Sequence, residues 1–247
     1  AAAAAAPKPQ VCDAQAGGGL AVAAAFVSRG AQLMLEMDFS YVQGQIPVPS
    51  LAIQLNKSTF GITPAQQQIV FPQPLAPGGR ASYALPMVCT PGMVATPPPG
   101  QPPSLAVQTA FKNMASGAVF YCTIPLAFEA VFSNEGAMDR NTFIQAWQGM
   151  GDSQETYTTV QGLPTADVDA LSRKLAAANV AFVARRQQPP SDDVVYYSAR
   201  TLTNLQFLIE LTFRQGVPNA CKLCVKTQAQ GYQQLCLNAI QGLLLKP

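Results

Sequence analysis

Histidine does not occur among the 247 residues, which removes the commonest general base and the commonest zinc ligand together. Any catalysis would have to rest on carboxylate, lysine or thiol. No serine–histidine–aspartate set, phosphate-cradling loop or metal-ligand cluster stands in the sequence. Gly17-Gly-Gly19 precedes a strand instead of opening a helix, so it lacks the setting a phosphate loop needs. The chain is therefore expected not to be an enzyme, with no cofactor and no metal. Charge is sparse as well: 11% of residues are charged and the net charge is +2, which provides no basic field for nucleic acid. Long apolar runs are missing. Stretches such as residues 19–27 fall short of the roughly 18 residues that mark a membrane-spanning helix. No signal peptide is read, and a soluble protein without direct membrane insertion is expected.

What is present is apolar and β-rich. Hydrophobic residues make up 49% of the chain, enough for one large domain or two ordinary ones with real cores. The six cysteines, at 12, 89, 122, 221, 224 and 236, are scattered through a chain too long to need stapling, so reduced thiols in a reducing compartment are expected. Cys221-Lys-Leu-Cys224 has zinc or redox spacing, but no second pair follows at metal-site distance and its flanks read as a strand. Residues 1–10, six alanines and then Pro-Lys-Pro-Gln, lack the side chains to build a core and read as the end of a linker.

Over residues 20–122 the hydrophobic period is two. Leu33, Leu35, Met37 and Phe39 alternate with Met34, Glu36, Asp38 and Ser40, the pattern of a half-buried strand. Similar runs recur at 50–55, 68–71, 80–85, 105–108 and 118–122, separated by glycine- and proline-rich turns. Short strands at such spacing argue for an antiparallel sandwich of immunoglobulin type over residues 11–130, with the proline-rich stretch 91–103 as an exposed loop on it. Past residue 130 the period changes to 3.6 and back, which marks a mixed α/β subdomain over 131–247. Its expected elements are a short helix within 138–150, strands at 156–161, 180–184, 194–197, 207–213 and 221–225, a helix after Pro164 with Thr165 as N-cap, and a closing amphipathic helix through Tyr232, Leu235 or Cys236, Ala239 or Ile240, and Leu243.

The short helix carries the chain's one tryptophan. Arg140, Phe143 or Ile144, and Trp147 recur at three- and four-residue spacing and share one face. Two readings fit: a core anchor with Arg140 lying over it, or an aromatic and a cation presented as a peptide-binding hot spot. Alternation in 194–197 sends one of Tyr196 and Tyr197 to the core and the other outward. Glu210, set in an apolar run, is costly there unless paired or surface-facing.

Several strings, in order and spanning nearly the whole chain, resemble the appendage or ear domain of β-adaptin, the large β subunit of clathrin adaptor complexes. They are Leu51-Ala-Ile-Gln-Leu-Asn-Lys57-Ser-Thr-Phe-Gly61, Val119-Phe-Tyr121, Glu135-Gly-Ala-Met-Asp-Arg140 running to Phe143 and Ala146-Trp147, and Val195-Tyr196 leading to Glu210. The resemblance implies an immunoglobulin-like sandwich followed by a platform subdomain, with residues 1–10 as a hinge remnant. It implies recruitment of clathrin and of accessory proteins, epsin-type and arrestin-type, through short peptide motifs during endocytosis and vesicle-mediated transport. The setting would be cytoplasmic and peripheral on coated vesicles and pits, at the plasma membrane or trans-Golgi network, with other adaptor subunits met through a trunk.

By the same resemblance the platform site falls on Trp147 and Tyr196 as apolar walls, Glu155 and Glu210 for a basic residue of the ligand, and Arg140 and Arg186 for its acidic end. A sandwich site falls on Tyr121 with Lys57, Gln54, Gln108 and Lys112. Gln148 departs from the family, which has a basic residue directly after this tryptophan. Two alternatives stand beside this: a purely structural spacer, and the appendage of a related non-clathrin coat.

Overall fold

The period of two in the first half of the sequence becomes two antiparallel sheets packed face to face. In the computed structural model, which describes residues 7–98, 100–188, 192–217 and 219–246, the chain divides into two compact units. One holds the described residues through Pro97 together with Ser104–Ala127, the other Pro98–Pro103 together with the described residues from Phe128 onward. The strands of the first unit are β1 (Gln10–Cys12), β2 (Leu20–Arg29), β3 (Gln32–Tyr41), β4 (Val48–Leu55), β5 (Ile62–Pro64), β6 (Gln68–Leu75), β7 (Arg80–Cys89), β8 (Ala106–Asn113) and β9 (Val119–Pro125). They form a sheet of order β1-β2-β3-β7-β5 and a second of order β6-β4-β8-β9.

Alternation decides what each strand buries. Leu33, Leu35, Met37 and Phe39 point into the core and the residues between them do not. The ring of Phe39 in β3 meets Phe71 of β6 at 5.4 Å and Phe111 of β8 at 6.2 Å, both edge-on, which ties one sheet to the other. One part of this unit differs from the sequence reading. Residues 1–6 of the expected linker lie outside the described residues, while the residues after them lie on the sandwich: Pro9 O accepts from Ala24 N at 3.0 Å and Lys8 Nζ donates to Asp38 Oδ2 at 2.7 Å. The proline-rich loop is largely exposed, as expected, and backbone bonds hold its first turn. Ser58 N donates to Met93 O at 3.1 Å, Ala95 N to Ser58 O at 2.8 Å, and Pro103 at the far end is buried. The chain passes so close here that a Cβ on Gly61, whose φ is +59°, would lie 2.4 Å from Thr90 O.

The second unit is the α/β platform. Its elements are β10 (Phe132–Ser133), α1 (Arg140–Gln148), β11 (Glu155–Gln161), α2 (Val168–Ala177), β12 (Ala181–Gln188), β13 (Asp192–Thr201), β14 (Gln206–Arg214), β15 (Ala220–Lys226) and α3 (Gln233–Leu245). The sheet runs β10-β13-β14-β15-β11, with β12 also paired to β13, and every pairing is antiparallel. Tyr197 faces α2, where its hydroxyl meets Ser172 Oγ at 2.9 Å, and it is fully buried. Alternation therefore turns Tyr196 to the opposite face, which α1 partly covers. The start of α2 differs from expectation. Asp167, not Thr165, is its N-cap, accepting from Asp169 N at 3.0 Å, and Thr165 Oγ1 accepts from Asp167 N at 3.0 Å in a side-chain turn that precedes the cap.

Candidate functional site

α1 is short and its placement comes from both of its ends. Asp139 caps it, accepting from Asn141 N at 2.9 Å and Thr142 N at 3.1 Å, and these bonds with the Thr142 hydroxyl hold the Asp139 carboxyl below its usual range. Just upstream the backbone runs hard against β13. Ser198 Oγ donates to Gly136 O at 2.8 Å, and a Cβ on Gly136 would lie 2.8 Å from Arg200 N. Between these constraints the helix lays Phe143, 3% exposed, onto Leu208 and Met150. Phe143 is the core anchor, and Trp147 is half-buried, stacked on it at 5.6 Å with Tyr196 edge-on at 6.3 Å.

The structure brings four of the expected platform residues into one cleft of about 260 Å³: Arg140, Trp147, Tyr196 and Arg186, with Val183 and Gln148 completing the wall. Arg140 and Arg186 are exposed and form no ion pair with the described residues, whereas their neighbour Arg185 is neutralised by Asp193, its Nε donating at 2.8 Å. The two carboxylates stand outside that lining. Glu210 lies directly across from Tyr196 in the β13–β14 register and accepts from Thr212 Oγ1 at 3.2 Å. Burial, helped by Glu210, pushes the Tyr196 hydroxyl up against the opposing pull of Arg186 and Arg140.

Glu155 is engaged within the protein. Lys226 Nζ lies 3.1 Å from Glu155 Oε2 and 4.9 Å from the centroid of the Trp147 ring. Burial works against the Glu155 charge, but hydrogen bonds from Lys226 and Cys224 outweigh it, so its carboxyl sits below the usual range. Lys226, buried beside the indole, is a site residue the sequence reading missed. The signal was there: Lys222, Cys224 and Lys226 alternate onto the same sheet face as Glu210. The same alternation parts Cys221 from Cys224, which face opposite sides of the sheet and cannot share an ion. Burial pushes the Cys221 thiol up to about 12 and raises that of Cys224 further. Among the described residues no cluster of metal-ligating side chains occurs.

On the sandwich, Gln54, Ala110 and Tyr121 stand abreast on the outer face of β4, β8 and β9, with Ala52, Lys112 and Val119 in the next row. Gln54, Lys112 and Tyr121 line an open cleft of about 830 Å³, and Tyr121 is 75% exposed. Gln108 lies one row away, its amide oxygen accepting from Asn56 Nδ2 at 2.9 Å, and Lys57 is exposed just past the end of β4; neither lines the cleft.

The architecture, a β-sandwich unit followed by a helix-backed α/β unit, is consistent with an appendage domain. Residues 133–244 match the family model described as the beta2-adaptin appendage, C-terminal sub-domain. Over 239 residues, 97% of this chain, it is 26% identical to AP-1 complex subunit beta-1 of Mus musculus, and over 241 residues it is 25% identical to that of Homo sapiens. AP-1 complex subunit beta of Dictyostelium discoideum matches 83% of the chain at 25% identity. The family match over the second unit and these relatives together support a β-adaptin appendage domain. It spans about a quarter of the length of these relatives, 24%, 24% and 21% respectively. Among the described residues no helix is long and apolar enough to cross a membrane.

Proposed function

We propose that this chain is the recruiting appendage of the β subunit of a clathrin adaptor complex, and that its Trp147 cleft captures amphipathic peptide helices carrying spaced phenylalanines. The observation that carries this reading is the meeting, in one cleft, of two part-exposed aromatics with two arginines that form no ion pair with the described residues. Apolar anchors at one face of a docked helix supply affinity, and charges at the edge fix its direction. Trp147 and Tyr196 are the apolar walls; Arg140 and Arg186 take the ligand's acidic end. Glu210, beside Tyr196, takes its basic residue, and Glu155 joins it there to the extent that the ligand's cation competes with Lys226 for the carboxylate. A spacer would have no use for an indole held half-exposed over a buried phenylalanine. Tyr121, with Gln54 and Lys112 beside it and Lys57 and Gln108 at the margin, forms a second site for a different ligand set.

The ligands in this reading are accessory proteins of epsin or arrestin type and clathrin itself. The chain would work from the cytoplasmic side of coated vesicles or pits, joined to other adaptor subunits through a trunk. Affinity is expected in the micromolar range, about 7 to 9 kcal/mol, as suits transient capture by many copies. Calorimetry with one epsin-type or arrestin-type helical peptide tests the assignment: Trp147→Ala should remove about 2 kcal/mol or more of binding, and Tyr121→Ala should leave it intact. Unchanged binding by Trp147→Ala, with the fold intact by circular dichroism, would sink it.

A further inference from the structure

On the same face of the platform sheet as Tyr196, but on the opposite flank, a second hollow of about 410 Å³ lies across β11, β15 and β14. It shares no lining residue with the Trp147 cleft. Its apolar surface comes from Tyr157, 66% exposed, and Val217, 51% exposed, two large side chains left open to water side by side. Its polar surface is cationic. Lys222 Nζ stands 4.6 Å from the centroid of the Tyr157 ring, Arg214 closes the far side, and neither forms an ion pair with the described residues. Thr159 and Thr212 add hydroxyls, and the lining contains no carboxylate. Carboxylates on the same sheet face border the hollow: Asp192, across from Arg214 in the strand register; Glu155, whose charge Lys222 helps to stabilise while Lys226 pairs it; and Glu210, which accepts from Thr212.

We propose that this hollow is a third docking site, one that takes an acidic peptide segment with a single aromatic or large aliphatic side chain seated between carboxylates. The volume is of the order that encloses a small ligand, here one large side chain with flanking backbone. The two cations select carboxylates on either side of it, and Arg214 offers the planar fork that pairs with a carboxylate through two parallel hydrogen bonds. An anionic membrane surface is the poorer match. Recognition of that kind draws on clusters of about four to eight basic residues, and only Lys222 and Arg214 stand here.

The test is a titration of the 247-residue chain with the peptide acetyl-Glu-Asp-Phe-Glu-Asp-amide, followed by backbone amide shifts. The chain has one tryptophan, so its single indole N–H signal reports on the Trp147 cleft independently. Saturable shifts on β11, β14 and β15 with the indole signal unmoved are expected. Lys222→Gln together with Arg214→Gln should weaken binding at least fivefold, as should Gln and Asn in place of the peptide's acids. Lys222→Arg, which keeps the charge at an exposed position, should bind within twofold of the unsubstituted chain and so excludes damage to the fold. The proposal is overturned if the indole moves while those strand amides stay still, or if the double variant weakens binding less than fivefold. Capture of phosphatidylserine vesicles through Lys222 and Arg214, without peptide shifts, would also overturn it.

Discussion

The Trp147 cleft and the Tyr121 cleft both present an aromatic side chain next to cations, yet they are built in opposite ways. Trp147 stacks on a buried phenylalanine, is crossed by Tyr196 and has a lysine held beside its ring by a carboxylate. Tyr121 stands on an open sheet face with small and polar neighbours, Ala110 and Gln54, in its row. In the first cleft the aromatic's position is set by the protein's own packing; in the second the ring stands largely in water and is far less held. Less side-chain freedom remains to be lost on binding at Trp147, so the platform is the better preorganised of the two.

The largest effect that would break this contrast is on stability. Phe143→Ala should cost the platform about 3 kcal/mol or more, because it opens a cavity beneath the indole. Urea denaturation would read this directly, and a loss near zero would show that α1 is not anchored by that ring. Lys226→Gln should have a smaller effect, about 1 to 2 kcal/mol, since Glu155 remains partly in contact with water once its partner is gone. That loss should depend on pH with a definite sign. The Glu155 carboxyl is lowered in the folded protein, so its pairing with Lys226 stabilises the fold in full above the ordinary glutamate value of about 4.3. The contribution fades as pH falls through the lowered folded value. The gap between the unsubstituted chain and Lys226→Gln should therefore close on acidification below that point; a gap constant down to strongly acid pH would mean the ion pair does not carry it. The smallest effect is expected at Tyr121→Ala, within about 0.5 kcal/mol in stability, because the side chain it removes is 75% exposed. A larger loss would show Tyr121 to be part of the sandwich core.

The sandwich was legible in the sequence because alternation is a local signal: the run through Leu33, Leu35, Met37 and Phe39 names its buried face without knowledge of any partner strand. The helix that carries Trp147 was legible for the same kind of reason. Which member of its face is buried was not, because that depends on Leu208, distant in sequence, receiving Phe143 and not the indole. Thr165 misled as a cap because threonine and aspartate offer the same kind of acceptor two residues apart, and the choice falls to the backbone path out of the β11 turn. The Glu155–Lys226 pair was hidden by its 71-residue separation; only the β11–β15 register puts the two side chains abreast.

Strand β13 serves two masters through one parity. Tyr197 fills the core behind the sheet while Tyr196, next in the chain, forms a wall of the cleft in front. A pairing error of a single residue would swap their faces, placing the phenol meant for the core in water and the cleft's phenol in the core. Such a misfolded sheet would lose its binding surface in the same step in which it lost its packing. Ligand capture by the platform would then report on folding fidelity: a molecule that binds has had its central strand register proofread, and no partly slipped population would be retained on an immobilised peptide.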